Sequence, residues 1–215
     1  MSFEYVLGVT GSMGCGKSYT CKKLVEIGNG TVSHINTDLL GREILGTALE
    51  YKDLRRQIFQ SFGHQFENED TSVKRKELGE LLFQDKVALE EFNRILLPEA
   101  LKRVQNEMEK NTSPLLLVES ALFAEYRFFD IVQHNMLLVY ANKEIQMGRL
   151  SKGELPADQV KGRIASQFSY QEKLEGIVQA QKEAGQGKLF LFDTSLNPSH
   201  EAYKELLGHI WGECK

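Results

Sequence analysis

The sequence has few cysteines and no apolar run long enough to span a membrane. Its three cysteines, Cys15, Cys21 and Cys214, leave one thiol unpaired in any disulfide scheme and show no metal-ligand spacing. Cys15 also lies inside a glycine-rich turn that a disulfide would deform. We therefore expect a reduced, cytoplasmic setting, with no signal peptide and no membrane partner.

Net positive charge is also lacking. Lysine and arginine number 26 against 30 acidic residues, and the formal net charge of −4 argues against a broad nucleic-acid-binding face. Four prolines, 41% hydrophobic residues and 26% charged residues are typical of a soluble globular protein. The 215 residues fit one domain, or one domain with an inserted lobe, and we expect a monomer or a weak homo-oligomer.

What the sequence does contain is a glycine-rich stretch between an apolar run and the start of a helix. The stretch consists of Gly11, Ser12, Met13, Gly14, Cys15, Gly16, Lys17 and Ser18. Its spacing, Gly-x4-Gly-Lys-Ser, is that of a phosphate-binding loop, whose backbone N–H groups form a cradle for an anion. Lys17 would reach the β- and γ-phosphates of a nucleoside triphosphate, and the Ser18 hydroxyl would ligate Mg²⁺.

Five short runs predict the strands of a parallel α/β sheet flanked by helices. The runs are residues 5–9, 31–36, 115–119, 136–140 and 189–193. Asp38 follows the second run closely and is predicted to point into the crevice where open α/β sheets bind ligands. Glu119 ends the third run, where an acid of a phosphate-loop protein can help to hold Mg²⁺ through water.

Helical periodicity dominates the interval between the second and third runs. From about Tyr51 to Asn111 the apolar residues recur at helical spacing, and no strand is indicated. This interval is too long for a single crossover helix, so we predict an inserted helical lobe. Within one domain, 1–215, the predicted parts are a nucleotide-binding core of 1–48, 112–142 and 186–215, an acceptor-binding lobe of 49–111, and a lid with its following helix at 143–185.

Two short fragments are similar to motifs of switch GTPases. Residues 38–41 fit Asp-x-x-Gly, and Asn142-Lys143-Glu144-Ile145 begins like the guanine-reading Asn-Lys-x-Asp. The final Asp of that motif accepts hydrogen bonds from guanine, which the Ile145 side chain cannot do. A switch protein would also explain neither the helical lobe nor the arginines of the lid, so we favour a small-molecule kinase.

The order of the motifs resembles the dephospho-coenzyme A kinase family over nearly the whole chain. After the phosphate loop, that family has an Asp-Ala-Asp-x-x-x-Arg element, a Phe-Gly pair and an Arg-x-x-Leu-Gly-x-x-x-Phe helix. It continues with a Pro, an acid that ends the third strand, a second glutamate, and Gln-x-x-Arg and Arg-Ile-x-x-Gln elements. The matching residues here are Asn36 to Arg42, Phe62-Gly63, Arg75 to Phe83, Pro98, Glu119, Glu125, Gln146 to Arg149, and Arg163 to Gln167.

The resemblance implies a P-loop kinase fold and transfer of the ATP γ-phosphoryl to the ribose 3′-hydroxyl of dephospho-coenzyme A. This is the final step of coenzyme A synthesis, with ATP and Mg²⁺ as cofactors and dephospho-coenzyme A as the small-molecule partner. Lys17, Asp38 and Arg149 are the expected catalytic residues. Asp38 would take the proton of the attacking hydroxyl, and its alternative role is a helix N-cap.

Other residues are assigned to the two substrates. Arg149, acting from a closing lid, and Arg163 are expected to bind the nucleotide, and solvated helix-face charge is the alternative for both. Tyr19 is also expected to bind the nucleotide, and the alternative is that it is a residue of the hydrophobic core. The acceptor is expected to meet Asp38, Arg42, Arg75 and Glu119.

Four positions depart from the family pattern. Asn36 replaces the first Asp of its element, Leu97 replaces the His before Pro98, and Thr194 replaces the Asn after the last strand. A second lid arginine is expected near Gly153, where Lys152 is the neighbouring cation and an imperfect substitute. Two alternatives stay open: a kinase for another small hydroxyl substrate, such as a nucleoside or a sugar acid, and, because of the departures at Asn36, Leu97 and Gly153, a degenerate nucleotide-binding module.

Overall fold

A parallel five-stranded sheet organises the protein, which we describe from a computed structural model covering residues 4–152, 160, 162 and 164–213. The strands are β1 (Tyr5–Thr10), β2 (Val32–Asn36), β3 (Leu115–Glu119), β4 (Met136–Tyr140) and β5 (Leu189–Asp193). Their order is β2-β3-β1-β4-β5, and every pair is parallel. The predicted fold class, a five-stranded parallel α/β sheet flanked by helices, is confirmed.

Burial explains why the strands are such apolar runs. All five residues of β3 are buried, because this strand lies between β1 and β2. A strand with neighbours on both edges and helices on both faces must be apolar on both faces, which removes the usual polar alternation. The edge strand β5 is less covered, and Leu191 is exposed there.

The helices follow the strands in the order the sequence predicted. They are α1 (Lys17–Gly28), α2 (Thr37–Ile44), α3 (Lys52–Phe62), α4 (Arg75–Leu82), α5 (Lys86–Lys110), α6 (Phe123–Tyr126), α7 (Lys143–Leu150), α8 (Tyr170–Ala184) and α9 (His200–Glu213), with 3₁₀ turns at Leu49–Tyr51, His64–Phe66 and Phe129–Val132. Local chemistry sets several boundaries. Helix α1 ends before Asn29, which adopts the left-handed conformation, and α8 begins with a capping box between Ser169 and Glu172.

The chain divides into two compact units. The first comprises Met1–Asn36 and Glu107–Lys215 and contains the whole sheet, and the second is Thr37–Asn106. The second unit begins before residue 49, where we predicted the lobe to start. Leu45, the residue directly after α2, packs with Ile58 and Phe59 in the core of this unit, so this core already begins before residue 49.

A buried arginine ties the second unit together. Arg55, on α3, donates hydrogen bonds to three backbone carbonyls, those of Thr71 at 2.9 Å, Ala48 at 2.9 Å and Ile44 at 3.3 Å. The planar guanidinium can serve several carbonyls at once, which a lysine ammonium on a flexible stem does less well.

Among the residues that the structure describes, no helix is both long enough and apolar enough to cross a bilayer.

Candidate active site

The glycine-rich stretch forms a tight loop between β1 and α1. Gly11 has a φ of 150°, and a Cβ added there would lie 2.1 Å from the carbonyl oxygen of Val139. No side chain fits that space, so glycine is required on steric grounds as well as conformational ones. Gly14 and Gly16 also have positive φ angles, of 79° and 91°. The loop therefore has the backbone shape on which an anion cradle depends.

Lys17 places its charge inside this loop. Its side chain is buried, and Nζ donates a hydrogen bond to the carbonyl oxygen of Ser12 at 3.2 Å. The side chain thus folds back along the loop and keeps the ammonium at the point where phosphates are expected. Since α1 also begins at Lys17, the positive end of its helix dipole reinforces this charge.

Ser18 and Glu119 meet beside the loop. The Ser18 hydroxyl donates to Glu119 Oε1 at 2.6 Å, while the other carboxylate oxygen accepts from Asn36 Nδ2 at 2.8 Å and lies 2.9 Å from His34 Nε2. Glu119 is only 3% exposed. Burial by itself would raise the pKa of this carboxyl, but hydrogen bonds from His34 and Ser18 and nearby positive charge outweigh it and hold the pKa below its usual value.

This donor set fits a magnesium ion. Mg²⁺ takes oxygen ligands, keeps several waters, and is usually held by one or two protein oxygens together with substrate phosphates. Ser18 is an exposed residue in the first turn of α1, and its hydroxyl lies next to the ionised Glu119 carboxylate. Ser18 and Glu119 are therefore the residues that would hold the ion.

The sequence interpretation missed His34 and did not foresee the contact made by Asn36. Both residues lie on β2, two positions apart, so their side chains share one face of the sheet. The register pairs Asn36 with Glu119 across β2 and β3. Strand alternation combined with the strand order would have placed both side chains at Glu119, but the strand order could not be read from the spacing alone.

Arg149 reaches the phosphate loop from α7. Its guanidinium donates to the carbonyl oxygens of Gly14, at 3.3 Å, and Thr194, at 2.7 Å. It also donates to the Thr194 hydroxyl at 2.9 Å and to Asn197 Oδ1 at 3.1 Å. Thr194 in turn donates to the carbonyl oxygen of Cys15 at 2.7 Å. Arg149 thus joins the loop to the segment that follows β5, and Thr194, noted only as a departure, is part of that connection.

A second segment touches the loop just before α8. The Met13 backbone N–H donates to Gln167 Oε1 at 2.9 Å, and the Ser12 hydroxyl donates to the carbonyl oxygen of Phe168 at 3.2 Å. The Phe168 N–H donates to Glu125 at 2.9 Å, and the same Glu125 oxygen pairs with the buried ammonium of Lys173. Sequence spacing gave no sign of the role of Lys173, because its partner comes from a distant element.

Three other predicted site residues belong to the second unit. Asp38 is exposed in the first turn of α2, Arg42 is exposed on the last turn, and Arg75 is the exposed first residue of α4. All three belong to the second unit.

The interpretation of Tyr19 as a core residue is wrong, because its side chain is 58% exposed and meets Tyr203 edge to face. The predictions for Arg163 and Gly153 fall outside the described residues, as does Cys214.

Comparisons with known proteins identify the family. The family model described as dephospho-CoA kinase matches residues 5–180. The dephospho-CoA kinase of Dehalococcoides mccartyi is 32% identical over 174 residues, covering 79% of this chain and 84% of that protein. The corresponding protein of Latilactobacillus sakei is 30% identical over 173 residues, covering 79% and 82%.

Solved structures share the fold. A crystal structure of a Thermus thermophilus protein aligns with a TM-score of 0.73 at 21% identity and covers 99% of each chain. Dephospho-CoA kinase from Campylobacter jejuni aligns with a TM-score of 0.57 at 22% identity, covering 97% of this chain and 96% of that one. Because the family model matches most of the sequence, this chain belongs to the dephospho-CoA kinase family.

Proposed function

We propose that this chain uses ATP and Mg²⁺ to phosphorylate the ribose 3′-hydroxyl of dephospho-coenzyme A, giving coenzyme A. The observation that carries the proposal is the hydrogen bond between Ser18 and Glu119 beside a phosphate loop that already contains the Lys17 charge. Family membership supports the reaction type and the acceptor.

Phosphoryl transfer asks a protein mainly for alignment and for stabilisation of negative charge. The loop amides and Lys17 would bind the β- and γ-phosphates. When bound, Mg²⁺ neutralises charge on those phosphates, and the oxygens of Ser18 and Glu119 would hold it. Arg149 would stabilise the transferring group from α7, where its present bonds to Gly14 and Thr194 keep it next to the loop.

Asp38 is the proposed general base. It follows the carboxyl end of β2 by two residues, and it is exposed to solvent, where an acceptor hydroxyl can approach. Arg42 lies four residues further along α2, which puts both side chains on one face of that helix. Arg42 and the exposed Arg75 supply positive charge on the same unit, and we assign them to the phosphates of the acceptor.

A substrate panel tests the activity. Purified protein with ATP and Mg²⁺ is supplied with dephospho-coenzyme A, nucleosides or sugar acids, and ADP release is followed. Stimulation by dephospho-coenzyme A alone supports the proposal, with Lys17→Ala expected to abolish it. Stimulation by a different alcohol would instead indicate a kinase for that alcohol, and no stimulation by any acceptor would indicate a nucleotide-binding module.

The role of Asp38 has its own test with a matched control. Asp38→Asn should lower kcat by roughly 10²-fold or more while ATP affinity changes little, because a general base acts on the chemical step. Asp53→Asn is the control, since Asp53 is an exposed first-turn acid on α3 of the same unit and should leave kcat unchanged. An equal loss of ATP affinity and rate in Asp38→Asn would mean that Asp38 only orders the local backbone.

A further inference from the structure

Three metal-binding side chains meet in the first unit, next to the phosphate loop. Cys21 comes from α1, His34 from β2 and Glu119 from the end of β3, and their ligand atoms all lie within 4.8 Å of one another. Cys21 is fully buried, and the His34 side chain is 21% exposed, which leaves one side of the cluster open to solvent. Three separate elements thus bring a thiol, an imidazole and a carboxylate together.

The chemical character of this set differs from that of the magnesium ligands. Mg²⁺ binds oxygen and dehydrates reluctantly, whereas Zn²⁺ takes thiolate, imidazole and carboxylate in tetrahedral geometry. Zinc bonds of about 2.0 Å to nitrogen or oxygen and about 2.3 Å to sulfur separate neighbouring ligand atoms by about 3.3 to 3.5 Å. The His34 Nε2–Glu119 Oε2 separation of 2.9 Å and the 4.8 Å limit for the whole cluster bracket those values. Only small side-chain shifts are needed.

We propose that Cys21, His34 and Glu119 form a binding site for Zn²⁺ that is distinct from the magnesium position at Ser18 but shares Glu119 with it. The fourth position of the ion would be taken by water. The proposed phosphoryl transfer uses neither the Cys21 thiol nor the His34 imidazole as a reacting group.

Proton balance follows from the state of the thiol. A cysteine thiol ordinarily keeps its proton at neutral pH, so Cys21 carries a proton when no ion is bound. Zinc binds the thiolate, so each ion that enters must release one proton from Cys21 to solvent. The imidazole of His34 binds in its neutral form. Its Nε2 donates to Glu119 when no ion is bound, so on binding zinc the Nε2 proton is exchanged through solvent for one on Nδ1, and His34 adds no net proton release.

Occupancy should affect the magnesium position. A dication on Glu119 offsets the negative charge that this carboxylate offers beside Ser18, and it competes with the hydrogen bonds from His34 and Asn36. If the proposed kinase function holds, Zn²⁺ should therefore inhibit turnover by weakening the use of Mg²⁺. Binding itself does not depend on that function, so it can be measured without any nucleotide.

The test uses the full chain, freed of metals and supplied with Co²⁺ or Zn²⁺ alone. The wild type should bind one ion per chain, show the charge-transfer absorption of a Co²⁺–thiolate bond, and release one proton per Zn²⁺. Cys21→Ala should abolish the absorption and weaken Zn²⁺ binding by more than the roughly 10–100-fold expected for loss of an outer partner. Cys214→Ala is the matched thiol control and should behave like the wild type.

Activity and a second variant complete the design. Cys21→Ala should keep its turnover with Mg²⁺ and lose its sensitivity to Zn²⁺. His34→Gln can still donate a hydrogen bond to Glu119 but lacks a ring nitrogen, so it should also lose Zn²⁺ binding. This variant replaces Cys21→Ala in the test if Cys21→Ala does not fold. Absence of the thiolate absorption in the wild type, or equal Zn²⁺ affinity in the wild type and either variant, would overturn the site. Either result would leave the proposed kinase function standing, because that function is tested by ADP release with Mg²⁺ alone.

Discussion

The Ser18 hydroxyl donates a hydrogen bond to Glu119 Oε1 across 2.6 Å and so joins the first turn of α1 to the carboxyl end of β3. The second carboxylate oxygen is held by His34 and Asn36 from β2. A carboxylate with both oxygens engaged in this way has a fixed position, and it keeps its negative charge to a lower pH than a free carboxyl because its pKa is lowered. Glu119 is thus a rigid negative group beside the loop that contains Lys17.

The first prediction concerns the magnesium requirement. Glu119→Gln keeps the shape of the side chain but removes its charge and places an amide where Asn36 and Ser18 now donate. We expect the Mg²⁺ concentration for half-maximal rate to rise roughly 10–100-fold, the usual cost of losing a partner that supports a metal ligand. The measurement is ADP release at fixed ATP over a range of Mg²⁺ concentrations.

A surface glutamate provides the comparison for this variant. Glu26→Gln removes an exposed carboxylate of α1. Glu26 forms an ion pair with Lys23 of the same helix and lies on the surface. Its magnesium curve should overlay that of the wild type. A Glu119→Gln curve with unchanged midpoint would show that the carboxylate does not support the ion.

The second prediction is a pH dependence of stability. The folded-state pKa of Glu119 lies below its ordinary value of 4.5, so between those two pH values the unfolded chain binds a proton that the folded chain does not. The contribution of Glu119 to the free energy of unfolding is therefore complete above pH 4.5 and is lost as pH falls through the folded-state pKa. In urea titrations the stability difference between the wild type and Glu119→Gln should shrink on acidification. A difference that stays constant with pH would contradict this.

Much of this site could be predicted because it is local in sequence. The loop, the strand before it and the helix after it occupy one continuous stretch, and backbone sterics at Gly11 fix its shape. The buried strands were also predictable, because a strand covered on both faces must be continuously apolar. The end of β3 at Glu119 followed from the same rule.

What could not be predicted depends on contacts between distant segments. Thr194 and Gln167 reach the loop only because β5 and α8 return to it, and no periodicity within either element signals a partner more than a hundred residues away. In the sequence, nothing distinguishes Lys173 from the other charged residues around it. Its burial against Glu125 requires α6 and α8 to pack together, which is a property of the tertiary structure.

The third prediction concerns the connection through Thr194. Thr194→Val preserves the shape of this buried side chain but removes the hydroxyl that accepts from Arg149 and donates to the carbonyl oxygen of Cys15. Loss of a buried hydrogen-bond partner costs about 1–3 kcal/mol. If about 1 kcal/mol falls on nucleotide binding, the KM for ATP rises about fivefold. Steady-state kinetics with varied ATP measures this, and Thr31→Val, which removes a hydroxyl at the far end of α1, should leave the KM unchanged.

The fourth prediction concerns the buried pair of Lys173 and Glu125. Lys173 is fully buried and also donates to the carbonyl oxygen of Ala121 at 2.6 Å. Lys173→Met leaves the Glu125 carboxylate buried without its cation, which should cost about 3–5 kcal/mol of unfolding free energy in urea titrations. The exposed pair of Arg127 and Glu183 is the matched control, and Arg127→Met should change stability very little.

A double variant separates stability from the effect on the loop. Because Glu125 also accepts from the Phe168 N–H, it anchors the segment whose residues Gln167 and Phe168 bond to the phosphate loop. Lys173→Met combined with Glu125→Leu removes the uncompensated charge, so stability should recover in part. The anchor for Phe168 is still missing, so the KM for ATP should stay above that of the wild type. Recovery of both quantities together would mean that the ion pair serves the fold alone and has no part in positioning the loop.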